Sequence, residues 1–595
     1  MPRDPRRPVD AGRRGFILGA GSGLLAAGAA DVLAAGAPST GNASGDDWDR
    51  VTDVLVIGSG AAGFSAALFA REAGAQVLML EKGPVPGGTT LRSGGVHYIP
   101  NNRFLRALGV ADPREDFLRL AVRMSYPDRY RPQVERFGAG AAEYALLEAF
   151  YDQAAPTVDR LTELGIVDYL PFIDYDRSPF PDNYAELPEN RAPRGRGMVC
   201  KPKAQREGRF YYLNGGGVGV DLIELFQAAA AERSIPILTR HPVTGLVQDS
   251  TGGVIGVTCE HRGQRLRIGA RRGLVFATGG YIHNPQLRAR HLLGPVYGGC
   301  GAPTNQGDFL RLGAHAGAAL GNLQHGWWME LLLEETLASS DAPTGVWVVP
   351  GDSSLAVNLS GARYANEKNH PGSRPRAHFA WDAVTGDYPQ RVTLMIWDAR
   401  TVQHRGGVMG IQKADGPLPG HVITGDDWPS LTAAIAARLE KLRPQIGELR
   451  LAPDFATRVA ATVARFNDFA RRGVDEDFQR GAAAADIAWN YFGNLPVIPS
   501  EYPNPTLHPL SAQGPYFAAL LVAGAIDSKG GPVIDPRGQV LRTDNAPIDG
   551  LYGAGNCIAS PTGGAYWGGG GTIGPAVVFG QLAGSAAATA QPRAL

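Results

Sequence analysis

Apolar positions along the chain change period in a fixed order, and that order predicts the architecture. Val54 to Ile57 is a continuous, β-branched-rich run of the kind buried on both faces of a sheet. A helical pattern over 61–73 and a second apolar run over 75–80 complete a strand–helix–strand unit. Helical spacing then dominates 112–164, with helices predicted over 115–124, 133–150 and 154–164. The stretch 168–203, rich in aromatics and prolines, has no period and reads as a surface excursion placed to overhang a pocket. A helix over 220–233 and short strands over 235–239, 243–247 and 253–259 lead through a β-meander to a buried strand ending near Ala277. From 302 to 500, helices over 309–320 and 454–469 alternate with strand ends near Val357 and Asp398. After 501 the first architecture returns, closing with a helix over 576–588 in which bulky and very small residues alternate, a pattern suited to packing on a sheet.

The turns between these elements carry the chemistry. The first strand runs directly into Gly58-Ser59-Gly60-Ala61-Ala62-Gly63. Here Gly58 permits a tight turn, Gly60 lets a pyrophosphate approach the backbone, and Gly63 lets the helix sit close to the sheet. The second strand ends in Glu81, whose carboxylate is placed to accept from both ribose hydroxyls and disfavours a 2′-phosphate. Such a unit serves NAD and FAD alike. Lys82 and a second glycine–threonine segment, Gly87-Gly88-Thr89-Thr90, follow at once, and a second backbone nest is what the longer FAD molecule requires. Ser93, Gly94 and Gly95 read as backbone passing close to a flavin, with Ser93 either a donor to a ring heteroatom or an ordinary turn serine. Val243, the Ala277-Thr278-Gly279 turn, Gly555-Asn556 and the Gly574-Pro575 helix start complete the expected FAD-contacting set. The adjacent Trp327-Trp328 reads either as an interface pair or as the lining of an apolar site.

Composition removes other classes. Lys plus Arg and Asp plus Glu both number 57, so no basic field points to nucleic acid. The four cysteines, Cys200, Cys259, Cys300 and Cys557, are far apart and have no metal-ligand spacing, so no metal, haem or cluster is expected. Electrons must therefore pass to an external partner. The N-terminus carries Arg13-Arg14 ahead of a mildly apolar Gly/Ala/Leu run and small residues near 35–37, the arrangement of a twin-arginine export leader. It predicts a periplasmic or otherwise exported protein, with a cytoplasmic one as the alternative. The folded body contains no run of about twenty apolar residues and is not expected to span a membrane.

Taken together, GSGAAG, GGTTLRSGG, ATGG, the Asn366-Glu367 pair, YGAGN and the closing GGAYWGGGGTIGPAVVFG resemble the flavoprotein family of 3-ketosteroid Δ1- and Δ4-dehydrogenases and soluble fumarate reductases. The resemblance covers nearly all of 49–584, and its closing element is similar to the ketosteroid branch. It implies an α/β fold: a Rossmann-like FAD-binding domain, parallel sheet plus β-meander, with an inserted α+β substrate or cap domain. The expected divisions are a leader over 1–37, a linker over 38–48, FAD-binding parts over 49–300 and 501–595, and a substrate domain over 301–500. The activity implied is α,β-desaturation of an apolar cyclic ketone, a 3-ketosteroid first and a smaller cyclohexanone derivative second, with an external acceptor such as a quinone. The family's ketone-gripping tyrosine and glycine N–H fall on Tyr566 and Gly570. Where the family carries a basic tyrosine after its Asn-Glu pair, this chain has Asn366-Glu367-Lys368-Asn369-His370, so His370 is the candidate base. A reductase of an activated dicarboxylate alkene is the rival, and it requires cations from among Arg363, Arg374, Arg376, Arg391 and Arg400 to converge on the flavin.

Overall fold

The strand Arg50–Ile57 lies inside a mixed sheet because its apolar end has no face to spare: Val54, Leu55 and Val56 are all fully buried. It is parallel to Val77–Leu80 on one side, with Val54 opposite Val77, and to Gln264–Phe276 on the other, with Leu55 opposite Leu274. The crossover is the helix Ala61–Glu72, the expected right-handed solution for parallel neighbours. Ile237–Leu238 extends the sheet beyond Val77–Leu80, and Pro547–Gly553 extends it beyond Gln264–Phe276. The meander is present as Val243–Gln248, Val254–His261 and Gln264–Phe276, paired antiparallel in sequence order. This computed structural model describes residues 48–201, 219–339, 344–492 and 495–595. The Arg13-Arg14 leader, the linker up to residue 47 and the glycine run at 215–217 lie outside the described residues.

A second, antiparallel sheet is built from Gly345–Val346, Gly326–Leu332, Tyr516–Ser528, Val392–Asp398 and Ser354–Val357. One boundary differs from the sequence expectation here. Tyr516–Ser528 was expected in the returning FAD-binding part, yet it is the middle strand of the second sheet, with Leu520 opposite Leu394 and Ala523 opposite Glu330. Its thirteen residues are buried nearly throughout, which suits a central strand. Return to the first sheet begins only with Gln539–Leu541.

The helical region also differs in detail. The helices expected over 133–150 and 154–164 are one helix, Ala141–Glu163, which runs through Pro156 without ending. Residues 135–138 form a separate short turn, cut off by Gly138 at φ +92°. Trp428–Ile446 is a helix that the apolar pattern left unmarked; its start is fixed by Asp427 and Ser430, which cap each other reciprocally. Among the described residues no helix is long and apolar enough to cross a membrane.

The closing helix, Ile573–Thr589, packs on the dinucleotide helix as closely as on the sheet. A Cβ on Gly584 would lie 2.1 Å from Ala66 O and one on Gly580 2.4 Å from Ala62 O, so these glycines let two backbones touch. Ser65 Oγ donates to Val577 O at 2.6 Å across the same seam. Gly584→Ala is expected to cost about 1–3 kcal/mol in denaturant unfolding, the scale of an overpacked core. Gly420→Ala, where nothing lies within 4 Å of the new Cβ, is expected to leave the midpoint unchanged.

Candidate active site

The three glycines of the first turn are required for separate geometric reasons. Gly58 sits at φ +102°, and a Cβ there would come 2.3 Å from Ala277 O on the neighbouring strand. A Cβ on Gly63 would come 2.0 Å from Gly58 O, so the helix is pressed onto its own turn. Around Gly60 there is room: the nearest atoms to a new Cβ are Thr90 Oγ1 at 3.6 Å and Gly87 O at 3.9 Å. That space opens on a long cleft lined here by Gly58, Gly60, Ala61 and Ala62, at the positive end of the helix. Gly63 shapes the turn from behind and does not line the cleft.

Glu81 is the hinge pin of this end. Ser59 donates to its Oε2 through N–H at 3.1 Å and Oγ at 2.5 Å, and Gly83 N–H donates to Oε1 at 2.6 Å. Ser59 Oγ in turn accepts from Gly87 N–H at 3.1 Å, so one carboxylate ties the first glycine turn to the second. Thr90 Oγ1 accepts from Ala61 N–H at 3.0 Å. Thr89 Oγ1 accepts from Ala302 N–H at 3.0 Å and from Asn305 Nδ2 at 2.9 Å. Lys82 pairs with Asp308 at 3.0 Å. Ser93 gives its proton to Thr90 O at 2.7 Å and accepts from Gly95 N–H, which is the turn-serine alternative.

Ser59, Glu81, Lys82, Thr89, Thr90, Ser93, Asn305 and Asp308, with Gly88, Gly94, Gly95, Val243, Ala277, Thr278, Gly279, Gly555 and Asn556, line the cleft. Gly574 and Pro575 do not: a Gly574 Cβ would strike Tyr98 O at 2.3 Å, and the wall is made instead by Thr572, Ile573 and Ala576. A cleft continuous from the helix N-terminus through two glycine nests to the Gly555 turn, with open space at Gly60, fits an extended dinucleotide. These residues would hold FAD, with the first turn and Glu81 at an adenosine end and the second nest and the 277–279 turn beyond.

Sequence reasoning missed Asp527, which is fully buried at the cleft. Its Oδ2 accepts from Gly280 N–H at 2.7 Å, Asn305 Nδ2 at 2.8 Å and Asn556 Nδ2 at 3.2 Å. Burial pushes its carboxyl up to about 7, and these donors pull the other way. An acid ending a long apolar strand, just before Lys529-Gly530-Gly531, was the available signal.

Part of the cleft is aromatic, walled by Phe172, Trp347, Trp489 and Phe492. Trp347 and Trp489 lie parallel at 6.0 Å, and Phe492 tilts against Trp489 at 4.7 Å. Tyr566 and Gly570 also line the cleft. Gly570 needs its glycine: φ is +89° and a Cβ would lie 2.6 Å from the backbone of His97 and Tyr98. Burial pushes the Tyr566 phenol well above its ordinary value, so it stays protonated.

His370 is not on the cleft wall. It is buried, its Nε2 lies 2.7 Å from Ser373 Oγ, and its Nδ1 has no partner among the described residues. Burial, reinforced by Arg374 and Arg376, pushes the imidazole down to about 3, so it is neutral. The ring of Tyr184, which the sequence did not single out, tilts against it at 60° with centroids 5.0 Å apart. The loop backs onto Tyr566, since a Gly372 Cβ would lie 2.7 Å from Tyr566 Cβ.

The five arginines that a dicarboxylate site would need are committed elsewhere. Arg363 is bound to Glu367 and Asp475, Arg374 to Glu330, Arg391 to Asp387, Arg400 to Asp352, and Arg376 to Gly564 O. None of the five lines the cleft. Trp328 is buried against Phe379, and Trp327 stands behind Tyr566 rather than on the wall.

This cleft defines a flavin-binding oxidoreductase. Residues 53–573 match the FAD binding domain family, and the chain belongs to it as an FAD-dependent oxidoreductase acting on CH–CH groups. Its relatives are the ketosteroid dehydrogenase and fumarate reductase flavoproteins. It is 32% identical to 3-oxosteroid 1-dehydrogenase of Mycobacterium tuberculosis over 89% of this chain and 97% of that one. It is 31% identical to 4-oxocyclohexanecarboxylate 2-dehydrogenase of Sinomonas cyclohexanicum over 89% of this chain and 92% of the relative. The crystal structure of 3-ketosteroid delta1-dehydrogenase from Sterolibacterium denitrificans, in complex with 1,4-androstadiene-3,17-dione, superposes with a TM-score of 0.73 at 26% identity, covering 91% of this chain and 99% of that one.

Glu81→Ala is expected to lower the FAD content of purified protein, read from the ratio of flavin to protein absorbance, because both glycine turns lose their tie. Retention of full FAD by that variant would show that the nests stand without it.

Proposed function

We propose that this protein desaturates a 3-ketosteroid next to its ketone, with Tyr566 and the Gly570 N–H polarising the carbonyl oxygen. The observation that carries the reading is a protonated phenol and an unspent backbone N–H lining the same cleft as Phe172, Trp347, Trp489 and Phe492. Neither the Tyr566 hydroxyl nor the Gly570 N–H is used by another hydrogen bond among the described residues. Removing an α-proton puts negative charge on that oxygen, and two donors fixed beforehand stabilise it more than they stabilise the neutral ketone. Each such donor contributes roughly 3–4 kcal/mol in sites of this type. FAD, when bound, supplies the acceptor for the hydride leaving the β-carbon.

The stacked indoles and Phe492 favour a flat apolar ring system and exclude water from the developing charge. The second, antiparallel sheet with its helices is then the substrate-covering module. Commitment of all five candidate arginines to carboxylates or a carbonyl argues against a dicarboxylate substrate. In this reading an external acceptor such as a quinone reoxidises the flavin, and the Arg13-Arg14 leader supports export, with a cytoplasmic protein as the alternative. A shortened N-terminus on protein recovered from the periplasm tests that placement.

His370, the residue expected to take the α-proton, is set back from the cleft wall, with Nε2 2.7 Å from Ser373 Oγ and the Tyr184 ring tilted against it. Set there, it is not placed to take the α-proton from a substrate in the cleft.

Anaerobic mixing with 3-ketosteroids, cyclohexanone derivatives and dicarboxylates, followed by flavin bleaching, tests the substrate class, and only the ketones are expected to bleach it. Tyr566→Phe is expected to slow bleaching by about 10²-fold, the scale of one lost oxyanion donor. Normal bleaching in that variant would remove Tyr566 from the mechanism. A solvent-exposed histidine gives a low-pH limb near its unperturbed value of about 6.5. His370 titrates at about 3, so it stays neutral as pH falls through that region and no limb there is expected from it. A limb near neutrality that vanishes in His370→Ala would instead make His370 an accessible base.

A further inference from the structure

We infer that Trp327 and Lys529 are positioning residues that fix the Tyr566 side chain and couple its orientation to the cofactor end of the cleft. This rests on the polarising role proposed for Tyr566. The Tyr566 ring meets Trp327 edge to face, with centroids 5.5 Å apart and planes at 69°. Trp327 is itself held at two points. Its Nε1 donates to Asn556 Oδ1 at 2.9 Å, and the other end of that amide donates to Asp527 Oδ2. Asn556 and Asp527 both line the cleft. On its face, Lys529 Nζ stands 3.9 Å from the ring centroid, close enough to hold the indole plane.

Lys529 also holds the backbone that delivers Tyr566. Fully buried, its Nζ donates to Thr562 Oγ1 at 2.9 Å and to Ala565 O at 2.5 Å, the carbonyl immediately before Tyr566. The next carbonyl, Tyr566 O, accepts from Asn183 Nδ2 at 2.9 Å. A buried lysine with no carboxylate partner among the described residues is costly, and its contacts here go to the strut and the loop. The Tyr566 hydroxyl is left free by the same arrangement. Its ring is located by Trp327, its peptide by Lys529 and Asn183, and nothing competes for the O–H.

The polar chain Asp527–Asn556–Trp327 thus runs from the cleft that holds FAD to the ring that grips the ketone. Any shift of the Asn556 amide moves the indole, and with it the edge against which Tyr566 rests. Trp327→Phe keeps an aromatic plate but removes the N–H that locks it, and Lys529→Met keeps the stem but removes the donors.

The test is a double-mutant cycle. Trp327→Phe, Trp327→Ala and Lys529→Met are made singly and each combined with Tyr566→Phe. FAD content, ketone affinity and the rate constant of anaerobic flavin reduction are measured for all. The single variants are expected to keep FAD and ketone affinity within twofold while reduction slows about tenfold, the scale of a small misplacement of a reacting group. Trp327→Phe is expected to lose less than Trp327→Ala. In the Tyr566→Phe background the same changes are expected to cost nothing further. Additive losses would overturn the proposal, as would unchanged rates in the single variants. If Tyr566→Phe itself reduces at the normal rate, the polarising role fails separately. The positioning claim is then decided by the Tyr566 rotamer in a crystal structure of Trp327→Ala: a reoriented ring supports it and an unmoved ring overturns it. A variant that does not fold, judged by melting temperature, is replaced by a milder change at the same position, Trp327→Tyr or Lys529→Leu, read against the same outcomes.

Discussion

One buried carboxylate sets the geometry of the cofactor end. Glu81 takes hydrogen bonds from both sides of the glycine turns, and through Ser59 it fixes the distance between them. Everything else at that end follows from two turns being close. Thr90 can then reach the first helix, Thr89 can reach 302–305, and Asn305 can reach Asp527. These are short, directional contacts between groups that would be costly to bury unpaired. The cleft's shape is therefore held by polar ties across turns, while apolar burial supplies the sheets and helices on which the turns stand.

The fold was legible in the sequence where apolar period and glycine punctuation agreed. The first strand, its helix, the meander and the strands ending in ATGG and YGAGN all lie where the pattern put them. It failed where tertiary context outweighed local signals. Pro156 did not end a helix, because the segment around it is held by neighbouring burial. Tyr516–Ser528 reads as a buried strand in either module, and only its partners decide which sheet it joins.

The candidate site was legible to a similar depth. Residues whose role is backbone shape, such as Gly58, Gly60 and Gly570, announce themselves by being glycine at a strand end or helix mouth. Tyr566 was identified by its setting in the closing segment. A residue that acts through partners gave no such signal: Asp527 needs Asn305 and Asn556 to have meaning. His370 shows the converse. Its residue type suggested a base at neutral pH, yet burial beside two arginines decides its protonation, and neither burial nor those neighbours can be read from the local sequence.

The strand Tyr516–Ser528 also constrains motion. Its first part is the spine of the antiparallel sheet, and its last residues, Ile526 and Asp527, form cleft wall against which cofactor and ketone must both fit. A covering module joined only by loops can swing open as a rigid body. One threaded by a strand that continues into the reaction chamber cannot do so without breaking ladder hydrogen bonds or pulling Asp527 from its donors. Admission of a bulky substrate then falls to the loops at the rim, and the chamber floor keeps its geometry through each turnover.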